Sequence, residues 1–402
     1  MKPLAYLKKH GARHALRVIW NYKVPVLQVR LLEKLTKHRA LEDKIVIESH
    51  DDFDCNGGAF YDYLIDREYN KRIKIVWRLY HPLDRELPEN VEAVPLYGPS
   101  WRKAWHICTA RWLTADCSVV DRVRQEQISL YMTHGIFGLK NFKGEGKLPK
   151  SVSVVLSPSE KMDSVFSDMR EISNPETMLV HLGYPVLDRL YDNRHSDRYR
   201  VRADERPLFL WMPTFRKGVV EGRCDATGSY PYGVALIEYP QLLDELAEAL
   251  RSEGARMVIK LHPKEDLSIL ARESMGSVSD VISFITGDMM GCLPYDSYDL
   301  MLDSAALITD YSGVVFEYIA LDRPICFVMS DVKRYKIGLV PNADRYMPGE
   351  KVETLSELKA FIHSVCRGID ECSEQRRTFR NWFYRWNDSG SCERIAAYLG
   401  ID

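Results

Sequence analysis

The chain has 402 residues, which is enough for two domains that each bury a core of their own. Its 55 Lys and Arg residues nearly balance 57 Asp and Glu residues, and a net charge of −2 argues against a general nucleic-acid binder. The nine cysteines are scattered without a CxxC pair, which is typical of reduced cytosolic thiols and argues against a zinc site or disulfide framework. We find no run of about 18 apolar residues and no signal peptide, so nothing is predicted to span a bilayer.

Residues 1–40 differ from the rest of the chain in charge. They contain ten Lys and Arg residues against the single acid Glu33, and large apolar residues lie between the basic ones. The pattern predicts two helical stretches broken near Pro25 that lie on an anionic membrane surface. A solvated helix packed on its own domain is the alternative.

From Lys44 onward, short apolar strands alternate with helices. The first half contains seven predicted strands: Ile45–Ile47, Ile73–Trp77, Val91–Leu96, Ser118–Val120, Ile128–Met132, Val152–Leu156 and Met178–Leu182. Helices are predicted after the acidic turn Asp51–Gly58, over Trp101–Leu113 and over Pro158–Met169. This alternation predicts an α/β fold with a parallel, doubly wound sheet.

The pattern restarts after a polar stretch, Asp192–Arg206, which we interpret as a linker. Predicted strands follow at Leu208–Met212, Met257–Leu261, Ile282–Ile285, Leu307–Ile308 and Ile325–Val328. Predicted helices lie at Tyr239–Arg251, Tyr298–Ala306, Gly313–Leu321, Leu355–Cys366, Arg376–Trp386 and Cys392–Leu399. We therefore expect a basic N-terminal segment (1–40), two Rossmann-like domains (41–195 and 205–385) facing a cleft, and a C-terminal helical segment (386–402).

Two of the turns that follow predicted strands carry histidine. Thr133-His134-Gly135 follows the strand that ends at Met132, and Lys140 comes shortly afterwards. A histidine in this position suits a general base, because its pKa is near neutrality and Gly135 leaves room for a substrate. Lys260 and His262 fall on the same side of a later strand end and suit a phosphate clamp. A structural histidine or a salt-bridged strand end is the alternative.

Two further turns favour an anion. Thr214 and Arg216 open the second half, where Arg216 could hold a phosphate. The turn from Thr309 through Ser312 to Gly313 joins a strand to a helix, whose free N–H groups attract phosphate. Helix capping and a solvated loop are the alternatives. No HExxH, Walker A or GxGxxG pattern occurs, so no metal is predicted, although a divalent cation stays open.

These turns, in this order, resemble the CDP-glycerol glycerophosphotransferases of teichoic-acid synthesis. The matching stretches are THG with Lys140, GYP (183–185), MPTFRKG (212–218), KLHP (260–263), ITDYSGVVFEYIALDRPICFV (308–328), PG (348–349) and NDSGSCERI (387–395). The resemblance implies a GT-B fold and a last helix that returns to the first domain. It also implies transfer of glycerol phosphate from CDP-glycerol to a hydroxyl of a lipid-linked saccharide or polyol-phosphate acceptor, with release of CMP.

The resemblance also implies roles for individual residues. His134 matches the family's base, and His262 matches the histidine that holds the donor diphosphate. Thr309, Ser312 and Gly313 match the phosphate-binding turn, to which Arg216 and Lys260 add positive charge; Gly135, Lys140 and Thr214 complete the expected substrate site. Four positions depart from the family pattern. Thr133 stands where the family usually has a tryptophan and Ile136 where it has a threonine, Gly313 replaces a serine, and Glu317 replaces an aspartate.

The expected protein is a peripheral enzyme on the cytoplasmic face of the plasma membrane. Alternatives are a CDP-ribitol or other polyol-phosphate transferase, a capsule polymerase, a GT-B glycosyltransferase or epimerase that uses a nucleotide sugar, and an inactive membrane-binding module. The short chain favours a primase, whereas the oligomeric state is left open.

Overall fold

The computed structural model describes residues 11–83, 85–119, 121–141, 147–193, 204–216, 225–228, 230–263, 265 and 278–401, without the side chain of Asp288. Residues 1–10 of the basic segment, 194–203 of the predicted linker and 217–218 of MPTFRKG lie outside this range.

The chain divides into two compact units. The first comprises Met1–His134, Gly144–Asp188 and Gly390–Asp402, and the second comprises Gly135–Lys143 and Arg189–Ser389. The segment that follows His134, which the sequence places in the first half, thus belongs to the second unit.

The first unit is built on a seven-stranded parallel sheet with the order β3-β2-β1-β4-β5-β6-β7. Its strands are β1 (Glu42–Glu48), β2 (Lys74–Leu79), β3 (Val91–Pro95), β4 (Ala110–Ala115), β5 (Ile128–Tyr131), β6 (Val154–Leu156) and β7 (Met178–Val180). The strand order reverses between β1 and β4, which pair in parallel. Their apolar residues form part of a buried core. The doubly wound sheet predicted from the alternation is confirmed.

Helices cover this sheet and extend from it. They are α1 (Ala12–Val18), α2 (Val24–Thr36), α3 (Cys55–Asp66), α4 (Trp101–Thr109), α5 (Asp163–Met169), α6 (Pro185–Asn193), which crosses the boundary between the units, and the C-terminal helix, Ser391–Leu399. Helix α6 was not predicted from the sequence.

Two predictions around β4 are wrong. The helix predicted over Trp101–Leu113 ends at Thr109, and the following residues form β4. No strand lies at 118–119, the described part of the stretch predicted as Ser118–Val120. The stretch Ala110–Ala115 is too short for its periodicity to separate helix from strand, and pairing with β1 and β5 determines its conformation.

The helical N-terminal segment is continuous through Pro25, so the predicted break is also wrong. Ile19–Lys23 winds as a π-helix between α1 and α2, and the Val24 amide donates to the Ile19 carbonyl. Pro25 lies in the first turn of α2, where its missing N–H costs little. Ser100 N–H donates to Gln28 Oε1 at 2.8 Å, which attaches α2 to the start of α4.

The C-terminal helix packs within the first unit. The Asp188 carboxylate accepts hydrogen bonds from the amides of Ser391 (2.9 Å) and Cys392 (2.7 Å) at the start of this helix. At its other end, Trp112 Nε1 donates to the Leu399 carbonyl at 2.7 Å. The first contact holds the C-terminal helix on α6, and the second holds it on β4.

The second unit contains a six-stranded parallel sheet with the order β10-β9-β8-β11-β12-β13. Its strands are β8 (Leu208–Trp211), β9 (Arg256–Lys260), β10 (Ile282–Ile285), β11 (Ala306–Thr309), β12 (Ile325–Val328) and β13 (Glu350–Val352). Its helices are α7 (Pro240–Ser252), α8 (Gly287–Met290), α9 (Ser297–Asp303), α10 (Val314–Tyr318), α11 (Leu355–Cys366) and α12 (Ser373–Phe383). The C-terminal helix of the first unit is numbered α13. The edge strand β13 was not predicted.

Among the described residues, no helix combines the length and apolar character needed to cross a bilayer.

Candidate active site

The second unit collects several predicted residues where its strand order reverses. Strands β8 and β11 are neighbours, and their carboxyl ends lead into the turns that carry Thr214 and Arg216 on one side and Asp310 to Gly313 on the other. The Thr214 amide donates to both carboxylate oxygens of Asp310, at 3.1 and 3.0 Å. Ligands of open α/β sheets bind at such a reversal.

Arg216 is at the centre of this reversal and is completely buried. Its guanidinium pairs with Asp310 after β11 and, at 2.9 Å, with Asp331 after β12, and it also donates to the Thr214 carbonyl. Burial alone would lower the pKa of Arg216, but the two carboxylates outweigh this effect and raise it. The prediction that Arg216 contacts phosphate is therefore corrected, because its charge is neutralised and its surface is covered. Arg216 instead holds the turns together.

Thr309 also departs from its predicted role. The side chain is fully buried, and its hydroxyl donates to the Met212 carbonyl at 2.9 Å. Thr309 thus joins β11 to the end of β8, and direct phosphate contact by its hydroxyl is corrected. Thr214 is buried as well, and its hydroxyl makes no hydrogen bond to any described residue.

Ser312 and Gly313 are partly exposed in the turn before α10. Ser312 Oγ accepts a weak contact of 3.5 Å from the Val314 amide. The helix that follows is shorter than predicted, because α10 has five residues and continues as a 3-10 turn through Ile319–Leu321. The dipole at this turn is smaller than that of a full helix, so the prediction of an anion site there depends mainly on the turn's own amides.

Gly313 has a packing reason to lack a side chain. A Cβ atom there would lie 2.5 Å from the carbonyl oxygen of Phe137. Phe137 is anchored in the second unit by rings of Phe316 and Tyr346, each with its centroid 5.0 Å away. The departure from the family serine thus coincides with a close backbone approach.

His262 and Lys140 lie around Phe215. The ring of His262 is centred 4.9 Å from that of Phe215, and Lys140 Nζ is 5.6 Å from the same ring centroid. Lys140 also forms an antiparallel bridge with Leu339. Lys260 is the last residue of β9 and is partly exposed. The second unit therefore holds a histidine and a lysine beside the turn that carries Arg216.

His134 projects from a sharp turn of the first unit. The backbone is left-handed at Thr133 (φ 65°) and at Gly135 (φ 66°), and the imidazole is exposed. Asn56 Nδ2 donates to the Thr133 carbonyl at 2.9 Å, which ties the turn to the first turn of α3. A non-glycine residue at positive φ is costly and is held there by its surroundings. The turn presents His134 on a constrained backbone.

His50, which follows β1, was not predicted as a site residue. Its ring stacks on that of His134 with centroids 3.7 Å apart and an angle of 9° between the planes. Cys55 Sγ lies 3.8 Å from His134 Nδ1. The position of His50 just beyond a predicted strand could have marked it as a candidate site residue. Its pairing with His134 depends on the fold and could not be read from the sequence.

Two buried carboxyl groups lie at the same strand ends, and neither was singled out from sequence. Burial raises the pKa of Glu48, although the amides of Ser118 (2.8 Å) and Cys117 (3.2 Å) donate to it. Burial also raises the pKa of Asp116, which accepts from the Gly57 amide at 3.0 Å. Raised carboxyl pKa values in a cleft are a feature of functional sites, although buried structural acids share it.

One group among the described residues has the spacing to hold a cation: Asp51, Asp52 and His81. Asp52 already accepts the amides of Tyr80 (2.7 Å) and His81 (2.8 Å) and faces His81 Nδ1 at 3.1 Å. These bonds show that the Asp52 carboxylate anchors the loop after β2. The group carries no metal assignment.

Two parallel, doubly wound units of this kind form the GT-B class of α/β proteins. The family model for CDP-glycerol:poly(glycerophosphate) glycerophosphotransferases matches residues 32–400, and the chain belongs to that family. It is accordingly an enzyme of the glycerophosphotransferase type, as the resemblance implied.

Characterised relatives match most of the chain. The teichoic acid glycerol-phosphate primase of Bacillus subtilis (strain 168) is 28% identical over 376 residues, which cover 86% of this chain and 89% of the relative. The teichoic acid ribitol-phosphate primase of Bacillus spizizenii is 26% identical over 237 residues, 56% of this chain and 53% of the relative. The solved wall teichoic acid polymerase TagF superposes with a TM-score of 0.71 at 19% identity, covering 96% of both chains.

Proposed function

We propose that the chain transfers glycerol phosphate from CDP-glycerol to a hydroxyl of a lipid-linked teichoic-acid or capsule-type acceptor and releases CMP. The observation that carries this proposal is the family match across residues 32–400. The similarity to a glycerol-phosphate primase over 89% of that relative supports glycerol as the polyol.

In this reaction the acceptor oxygen bonds to the phosphorus that bears glycerol, and the bond from that phosphorus to the bridging oxygen of CMP breaks. His134 accepts the proton of the attacking hydroxyl. His262 holds the donor diphosphate and stabilises the negative charge of the departing CMP. Such transfers depend chiefly on positioning and on charge stabilisation.

The turn of Ser312 and Gly313 supplies hydrogen-bond donors to the diphosphate, and Lys140 and Lys260 supply positive charge. Thr214 contributes a buried hydroxyl without a described protein partner. The buried side chains of Arg216 and Thr309 bond within the protein and hold the turns in place, so we assign both residues a supporting role. Gly135 leaves space beside the base.

We further propose that the basic N-terminal segment attaches the enzyme to the cytoplasmic face of an anionic membrane. Large apolar side chains stay exposed along α1, the π-helix and α2: Leu16, Ile19, Trp20, Tyr22, Val26, Leu27, Leu31 and Leu35. Leu35 is 77% exposed and Leu16 is 66% exposed, which is unusual in a segment that packs only on its own domain. Basic residues between them favour anionic headgroups.

A donor screen tests the proposed reaction. The purified protein is incubated with lipid-linked acceptor and CDP-glycerol, CDP-ribitol or UDP-sugars, and the released nucleotide is quantified. We expect CMP from CDP-glycerol. CMP from CDP-ribitol alone would change the polyol, as the similarity to a ribitol-phosphate primase would allow. Release of UDP would contradict the proposal, and no turnover with any donor would favour an inactive binding module.

A further inference from the structure

His50 lies where the strand order of the first unit reverses, just beyond the end of β1. Its imidazole faces that of His134 almost in parallel, with a centroid separation of 3.7 Å. This is close stacking, which places one ring in van der Waals contact over the face of the other. The resemblance to known enzymes assigned no role to His50.

The backbone around His50 is fixed from two sides. A Cβ atom on Gly57 would lie 2.9 Å from the Glu48 carbonyl oxygen and from Ser49 Cβ, so α3 begins in tight contact with the residues before His50. Buried Asp116 accepts the Gly57 amide and also interacts with the backbone of His50. His50 is thus presented by a packed strand end.

The Nδ1 edge of His134 meets a second group from the same region. Cys55 Sγ is 3.8 Å from that nitrogen, and Cys55 has a left-handed backbone (φ 56°) at the start of α3. The Asp54 carboxylate accepts the Cys55 amide at 2.6 Å. One face and one edge of the His134 ring are therefore in contact with groups whose backbones are constrained.

We propose that His50 is a positioning residue for His134, which it holds in one ring orientation by stacking. The proposal rests on the proposed function, in which His134 removes the proton of the acceptor hydroxyl. An exposed imidazole on a free side chain samples several rotamers, and only a fraction of them aims a nitrogen at the substrate. A stacked neighbour that selects one rotamer raises kcat without contacting the substrate.

The test compares three substitutions at His50. His50→Phe keeps a flat ring and removes the nitrogens, His50→Asn keeps polarity and removes the ring, and His50→Ala removes both. We expect His50→Phe to retain nearly all of kcat. We expect His50→Asn and His50→Ala to lose about tenfold in kcat at unchanged KM for CDP-glycerol. The exposed His363 on α11 serves as the control, because His363→Ala should change neither constant.

A second measurement does not depend on catalysis. In protein with labelled histidine, ring currents of His50 shield the His134 ring protons, whose resonances are assigned by their loss in His134→Ala. We expect those resonances to move downfield in His50→Ala and His50→Asn and to stay upfield in His50→Phe. Unchanged resonances in all three variants would disprove the stacking.

The outcomes separate this proposal from the proposed function. If His134→Ala keeps the wild-type rate, His134 is not the base, whatever the resonances show. If His134→Ala is inactive and His50→Phe is as impaired as His50→Ala, then the nitrogens of His50 matter, and positioning by stacking is wrong. Full activity of His50→Ala would contradict it equally.

Discussion

Arg216 shows how one buried side chain joins the ends of three strands in the second unit. Its guanidinium meets carboxylates that follow β11 and β12, and its own backbone amide donates to Glu265 at 3.0 Å. Tyr311 donates to Asp331 at 2.7 Å and adds a further bond to the same group. These charges compensate one another within the protein. Removing any one of them therefore leaves another charge buried without a partner, which is unfavourable in the low-dielectric interior.

We therefore expect Arg216→Met to destabilise the protein by about 3–5 kcal/mol, because Asp310 and Asp331 would be left buried without a cation. Urea unfolding measures the change. Arg251→Met is the matched control, since Arg251 pairs with Asp280 at the surface of the same unit and should cost far less. Equal losses in the two variants would show that Arg216 is not a buried hub.

Gly313 marks a close backbone contact. We expect Gly313→Ser, which restores the residue usual in the family, to cost about 1–3 kcal/mol, because its Cβ would press on the Phe137 carbonyl. Gly138→Ser is the control in the neighbouring segment, since a Cβ there would meet nothing within 4 Å. Thermal unfolding compares the two. A stable Gly313→Ser with full activity would mean that the segment shifts freely.

The two proposed active-site histidines give a kinetic prediction. His134→Ala should lower kcat by a factor of about 10²–10⁴, the usual range for a general base. His262→Ala should lower it by about 10²–10³ through lost stabilisation of the leaving CMP. Initial rates of CMP release measure both, and circular dichroism checks that the fold persists. A wild-type rate in either variant would remove that residue from the mechanism.

At the scale of single elements, α4 carries a histidine that makes the first unit sensitive to acid. His106 is buried on α4, and its Nε2 lies 3.1 Å from Glu92 Oε2 on β3. Burial, followed by the nearby Lys44 charge, lowers the pKa of His106 to about 4. The folded protein thus keeps this ring neutral at a pH where an unfolded chain protonates it.

The stability that His106 contributes is present above pH 6.5 and is lost as the pH falls from about 6.5 towards 4. Between pH 7.5 and 5.5 we expect it to account for about 1 kcal/mol of lost unfolding free energy. His106→Gln cannot be protonated and should reduce the pH dependence by that amount in urea unfolding. An unchanged pH dependence in His106→Gln would contradict the assignment.

The elements predicted from sequence were most accurate where periodicity was long or the strand was buried on both faces. Leu355–Cys366 and Ile325–Val328 have the predicted limits. The error at Ala110–Ala115 arose because this six-residue strand directly follows a helix without a glycine or proline between them. Only its pairing with β1 and β5 separates the two conformations.

At the scale of the whole molecule, the N-terminal segment predicts binding to membrane surfaces, which the catalytic residues do not predict. We expect the triple variant Leu16→Ser, Trp20→Ser and Leu35→Ser to bind anionic vesicles at least about tenfold more weakly, because exposed apolar area is removed. Vesicle sedimentation measures the binding, which should also weaken with added salt.

Ile369→Ser is the control for this measurement, since Ile369 is also an exposed apolar residue but belongs to the second unit and is not part of the basic segment. Binding to neutral vesicles should be weak for every protein. If the triple variant sediments like the wild type, the segment does not attach the enzyme to membranes.

The sequence by itself determined the α/β class, most strands and helices, and the family, because hydrophobic periodicity and short strand-end motifs are local properties. Only the tertiary structure decided what the strand-end residues contact. Arg216 and Asp331 are 115 residues apart, and their pairing turns a predicted phosphate ligand into a buried support. His50 meets His134 because β1 and β5 flank β4 in the sheet order. Such contacts depend on which strands become neighbours, a choice made by burial and pairing over the whole unit.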